Sequence, residues 1–127
     1  MEPAVSYRYA QAAKLAGEEW VGTHECVALV QQYAKTPTTM HWREGSKVRG
    51  NRSLQEGTAI ATFSKGKYVN RRTGNHAALY LSQDSTGIWV IEQFRSIKKG
   101  RIAKRHISFK CGKDSPSNDG DAYSVIE

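Results

Sequence analysis

Residues 26–34, CVALVQQYA, carry apolar side chains at helical spacing. Val27, Val30 and Ala34 share one stripe, with Leu29 and Tyr33 on another beside it. The pattern predicts a helix of about three turns. Thr23 is placed to cap its start, because a hydroxyl there accepts an orphan amide of the first turn. Thr36-Pro37 ends it, since the residue before a proline avoids helical geometry. Residues 6–16, SYRYAQAAKLA, read as a shorter amphipathic helix stopped at Gly17. Residues 40–57 read as a connection rich in Arg, Lys and Gly, with a helical turn near Trp42. Beyond it the periodicity changes to that of strands. GTAIATF (57–63), NHAALYLS (75–82) and IWVIEQF (88–94) are apolar or alternating, and SQDSTG between the last two is a turn. RIAKRHISF (101–109) and AYSVIE (122–127) are further strand candidates. Helices first, then four or five mostly antiparallel strands, predict an α+β fold with a helix on one face of a sheet.

The chain has 127 residues, which points to a single domain over residues 1–127. That length buries a core without disulfide staples or a structural metal. No apolar run reaches the roughly 20 residues of a membrane span. The N-terminal stretch lacks a basic start followed by an apolar block, so no signal peptide is expected. The sequence therefore predicts synthesis in the cytoplasm, with any action outside needing another export route. The formal charge is +7. It is concentrated in residues 43–72 and 95–110, against a mildly acidic remainder. Such a surface attracts anions such as nucleic acid, anionic lipid or acidic wall polymer, or simply faces solvent. No nucleic-acid-reading motif is present, so sequence-specific nucleic-acid binding is not expected. The two cysteines, Cys26 and Cys111, are expected to stay reduced in such a chain.

Cys26 stands where the polar, glycine-containing entry VGTHE meets the helical run. It can be a core residue, a metal ligand or a nucleophile. A nucleophile needs a lowered pKa, and a helix N-terminus and a neighbouring imidazole both lower it. Four histidines are available: His24, His41, His76 and His106. His24 is too near in sequence to act as an independent base. His41 and His106 fall in basic, exposed stretches. His76 opens an apolar strand and can face a helix N-terminus packed on the same sheet. Its other nitrogen needs an orienting partner. A turn centred near residue 84 or 85 places Glu92 or Gln93 across from it. A carboxylate better stabilises an imidazolium, which favours Glu92. No CxxC or HxxxH spacing joins His24, Cys26, His76, His106 and Cys111, so no metal site is expected. Asp84 and the acidic residues of 114–121 lack the alternating spacing of a calcium loop.

GTHECVALVQQYA, LQEGTAIATF, GNHAALYLS and IWVIEQF together resemble the papain-like cysteine hydrolases of bacterial cell walls, the NlpC-like peptidases and CHAP amidases. The resemblance spans residues 20 to 94. It implies a nucleophile helix packed on a mostly antiparallel sheet of four to six strands. It implies Cys26 as nucleophile, His76 as base, and Glu92, from EQF, as the third member. The PGD of that family reads EGT at 56–58, its GH reads NH at 75–76, and Phe94 replaces a frequent Asn. Such enzymes need no cofactor. The oxyanion would be held by the Cys26 amide and a second donor from Thr23, His24 or Glu25. The implied substrate is a peptide amide, foremost in peptidoglycan stem peptides. Small size, basic surface and missing signal peptide also resemble amidase toxins delivered by the type VI secretion system. A monomer is expected, with an immunity or secretion protein as partner. The alternatives are a non-catalytic basic binding or adaptor module on the same scaffold, and a Cys–His acyltransferase or deamidase acting on protein.

Overall fold

In the computed structural model, which describes residues 6–69, 74–94 and 100–127, the apolar stripe becomes helix α1 (Cys26–Ala34). Leu29, Val30 and Ala34 are its buried face. Burying one such aliphatic side chain is worth about 1.5–3 kcal/mol. The helix stops where Lys35 turns left-handed, one residue before Thr36-Pro37. Its cap is not Thr23. The helix starts at Cys26 with Glu25, in an extended conformation, as the cap. Residues 21–25 instead form a turn, closed by His24 N–H donating to the Val21 carbonyl at 3.0 Å.

Six strands form one sheet: β1 (Glu44–Lys47), β2 (Ala59–Thr62), β3 (Ala77–Gln83), β4 (Gly87–Glu92), β5 (Ala103–Ser108) and β6 (Tyr123–Ile126). Their spatial order is β1-β6-β2-β3-β4-β5, and every pairing is antiparallel. Alternation sorts the sheet residues onto two faces. Ala59, Ala61, Ala77, Leu79 and Ile91 share a cluster with Leu29, Val30 and Ala34 of α1. The three alanines present little bulk, so the helix sits close. On the other face Ile60, Ala78, Tyr80, Ile88, Val90 and Tyr123 pack with Val48, Leu54 and Phe109. Both faces are therefore covered, one by α1 and one by connecting segments.

The expected α+β class holds, with the helix count reduced. Residues 6–16 supply only a 3-10 turn, Ala12–Leu15. Tyr7 and Tyr9 run extended along β2, with Ala59 N–H donating to Tyr7 O and Tyr9 N–H to Gly57 O. The sheet margin offers that backbone more partners than a short isolated helix would. Gly57 is the glycine of EGT. It has φ +91°, and a side-chain carbon there would collide with the Tyr9 carbonyl. The expected helical turn near Trp42 is Thr39–His41. Strand β1 lies in the stretch read as connection. Its residues have little strand character, but β6 needs an edge partner, and Ser124 Oγ donates to Glu44 Oε2 at 2.7 Å.

The β3–β4 hairpin has a different register from the one the turn predicts. Asp84 accepts from Thr86 N, Thr86 Oγ1 and Gly87 N, placing the turn later. An irregularity between Tyr80 and Ser82 takes back one residue of the offset. Leu79 pairs with Ile91. Continuing that step puts Ala77 across from Gln93 and His76 across from Phe94. Glu92 is then a diagonal neighbour of His76, within reach of a long side chain.

Candidate active site

Four elements converge at the end of the sheet. The start of α1 brings Cys26, half-buried as the first helical residue. There the unpaired amides of the first turn favour a thiolate. The entry to β3 brings His76, which is 4% exposed. Its backbone is pinned by Thr62 of β2: His76 N–H donates to Thr62 Oγ1 at 3.0 Å, and Thr62 N–H donates to His76 O at 3.0 Å. The end of β4 brings Glu92, 1% exposed, whose Oε1 lies 2.8 Å from His76 Nε2. Arg105 of β5 donates from Nε to Glu92 Oε2 at 2.7 Å. With Nε2 engaged by Glu92, Nδ1 is the imidazole nitrogen left to interact with the Cys26 sulfur, and the two groups shift each other's ionisation. Phe94 meets the imidazole edge-on, with ring centroids 5.4 Å apart.

The electrostatics follow from these contacts. Burial pushes the Cys26 thiol up. His76, the Tyr68 hydroxyl and the Ala77 backbone amide outweigh it, and the thiol ends below its ordinary value. Burial pulls His76 down, but Cys26 and Glu92 lift it to about 9. Burial also opposes ionisation of Glu92, yet His76 and Arg105 hold it below the usual carboxylate range. The opposite displacements of thiol and imidazole favour a thiolate–imidazolium pair.

The contacts separate Glu92 from Gln93. Gln93 does not touch His76 in the described contacts; it grips the turn before Cys26. Its Oε1 accepts from Val21 N–H at 3.0 Å, and its Nε2 donates to Val21 O at 3.0 Å and to Glu25 O at 2.9 Å. Adjacent strand residues face opposite sides, so Glu92 and Gln93 diverge. Gln93 lies on the sheet face that carries α1, and Glu92 on the opposite face, where it meets Arg105. Of the oxyanion candidates, Thr23, His24 and Glu25 are exposed residues of the gripped turn. His24 has φ +71°, and its ring lies 4.9 Å from that of Trp20.

Two residues here escape the sequence reading. Tyr68, 8% exposed, brings its hydroxyl to 3.7 Å from Cys26 Sγ. It follows a tight turn, Ser64–Lys67, and its ring packs on Trp42 at 4.8 Å and Phe63 at 6.5 Å. Burial and the nearby Cys26 keep this phenol far above its ordinary pKa, hence neutral and able to donate. Arg105 belongs to a basic block that reads as surface. Several cations of these blocks are in fact paired: Arg49 with Asp121 at 2.7 Å, Lys110 with Asp114 at 2.7 Å and Lys47 with Glu44 at 3.5 Å. Residues 70–72 and 95–99 of the two blocks lie outside the described residues. Among the described residues no three His, Cys, Asp or Glu side chains gather to hold a metal, and no helix is long and apolar enough to cross a membrane. Cys26 and Cys111 are both free thiols.

The sequence profile of the family described as Domesticated amidase effector 2 matches residues 4–126. The chain belongs to this family. A Type VI secretion amidase effector 2 protein of Salmonella typhi is 41% identical over 132 residues, covering 95% of this chain and 98% of its own. A Domesticated amidase effector 2 of Ixodes scapularis is 37% identical over 114 residues, covering 84% and 73% respectively. A solved structure of Type 6 secretion amidase effector 2 (Tae2) superposes with a TM-score of 0.87 at 40% identity, over 95% of this chain and 94% of that one. The fold is the papain-like one, and the enzyme is an amidase, which sets aside the non-catalytic binding module.

Proposed function

We propose that this amidase is a cysteine hydrolase that cleaves an amide bond in peptidoglycan stem peptides. The observation that carries the proposal is the buried 2.8 Å imidazole–carboxylate contact of His76 with Glu92, beside a Cys26 thiol whose ionisation His76 favours. In the first step the Cys26 thiolate attacks the amide carbonyl carbon. The oxyanion is received by the Cys26 amide at the start of α1 and by a donor from the gripped turn, Thr23, His24 or Glu25. The His76 imidazolium protonates the leaving amine as the C–N bond breaks, leaving a thioester. His76, now neutral, takes a proton from water, whose oxygen attacks the thioester and releases the acid. Glu92 holds the imidazole in one tautomer and stabilises its charge. Substrate and setting rest on the resemblance to cell-wall amidases and on the relatives named as type VI secretion effectors. On this reading the enzyme acts at the wall of a target bacterium, after export, and the producing cell holds an immunity protein.

Purified peptidoglycan incubated with wild type and with Cys26→Ala, with products read by mass spectrometry, tests the assignment. Wild type is expected to release peptide fragments, and the variant to be slower by about 10⁴-fold or more. Identical product patterns from the two proteins would refute it.

A further inference from the structure

Arg105 holds more than one partner. Its Nε donates to Glu92 Oε2 at 2.7 Å, Nη1 to Asn118 Oδ1 at 3.1 Å, and Nη2 to Ser117 O at 3.1 Å. The Ser117 carbonyl also accepts from Tyr123 Oη at 2.9 Å. The guanidinium is thus fixed from the far side by the 3-10 turn Pro116–Asn118, and its planar fork reaches back to the catalytic carboxylate. The carboxylate is 1% exposed, while the Arg105 side chain is 29% exposed. The groups facing Glu92 are His76 from the start of β3, Arg105 from β5 and Tyr123 from β6, with Cys26 beyond the imidazole. Tyr123 is neutral in the working range, because burial raises its phenol.

His76 is a cation for only part of the cycle. Once it has protonated the leaving amine it is neutral, and Glu92 becomes a buried anion with one cationic neighbour left. An isolated buried carboxylate takes up a proton. A protonated Glu92 neither fixes the tautomer nor stabilises the imidazolium that must form again in thioester hydrolysis. A guanidinium cannot lose its charge. We propose that Arg105 is a positioning residue of the reaction, keeping Glu92 ionised and aimed at His76 while the imidazole is neutral. This rests on the Cys26–His76–Glu92 assignment above.

The test compares Arg105→Gln and Arg105→Lys with wild type on the soluble peptidoglycan fragments that wild type cleaves. It measures kcat and KM across pH, with thermal midpoints. Arg105→Gln is expected to lower kcat about tenfold with KM within about twofold, and to move the acid limb of kcat up by about one pH unit. Arg105→Lys keeps the charge without the fork. It is expected to restore most of the acid limb while losing as much thermal stability as the glutamine variant. It also serves as the readable variant if Arg105→Gln does not fold. A lowered midpoint with unmoved limb and kcat makes Arg105 a strap for the tail and overturns the proposal. A lysine variant whose limb is no closer to wild type than glutamine's also overturns it. Iodoacetamide labelling of wild type separates the two readings. If Cys26 reacts no faster than Cys111, the underlying pair is wrong and the proposal falls with it. If Cys26 is fast and the limb does not move, only the role of Arg105 fails.

Discussion

Each cysteine of this chain has a nitrogen group near its sulfur, a guanidinium at Cys111 and an imidazole at Cys26, and the two settings differ in kind. Cys111 is exposed, and Arg49 Nη1 lies 3.9 Å away. That guanidinium is engaged by Asp121 at 2.7 Å and stacked 4.2 Å over the Phe109 ring. Water screens that guanidinium, and its nearer partner is a carboxylate. At Cys26 the nitrogen group is the buried His76 imidazole, which can take up the thiol's own proton. Proton transfer from sulfur to imidazole creates both charges at once, where little solvent screens them, with Glu92 behind to stabilise the cation. A cation near a thiol is therefore not enough. The setting must be dry, the base must accept the thiol's own proton, and a further charge must steady it.

The largest break in this comparison comes from His76→Ala. In wild type at pH 6.5, iodoacetamide is expected to modify Cys26 about tenfold faster than Cys111, because thiolate fraction rises more than nucleophilicity falls. In His76→Ala the two rates should converge, as peptide mapping of the labelled protein would show. A preference for Cys26 that survives the substitution would mean the helix start alone activates the thiol.

Glu92→Gln sharpens the comparison by removing the steadying charge and keeping the shape. The Glu92 anion helps to raise His76 to about 9, so its loss lowers the imidazole pKa. The basic limb of kcat/KM should then move to lower pH, with activity at neutral pH down by about tenfold. An unchanged basic limb would show that this carboxylate does not tune the imidazole.

Gln93→Ala should act more mildly and at a different level. It removes the side-chain acceptor of Val21 N–H and one of two donors to each of the Val21 and Glu25 carbonyls, and a polar group left unmet costs about 1–3 kcal/mol where it is buried. The thermal midpoint should drop and activity should fall through looseness of the turn, with both pH limbs in place. A shifted limb would mean that Gln93 takes part in the titrating network.

Much of this was legible in the sequence for a physical reason. The apolar period locates α1 and the five strands that carry a strand signal, because burial selects those side chains. Cys26 and His76 stand out as polar groups at the ends of apolar runs. Glu92 and Gln93 look equivalent in one dimension, since both are polar residues closing an apolar strand. Their division of labour appears only with the face each occupies, which depends on a turn and an irregularity of one residue near Leu81. Tyr68 and Arg105 give no local signal. One follows a Gly-Lys turn and the other sits among basic residues, and their importance lies wholly in long-range contacts. Strand β1 was hidden for the same reason: Glu44–Lys47 become a strand through what β6 requires of them.

Strand β6 comes after every proposed catalytic residue in chain order, yet it occupies an interior slot between β1 and β2, with Tyr123 paired to Thr62. Thr62 is the residue that pins the backbone of His76. A polypeptide emerging from the ribosome thus presents Cys26, His76 and Glu92 before the strand that flanks Thr62 has been made. The sheet around His76 is therefore complete only with a strand that is synthesised after Cys26, His76 and Glu92.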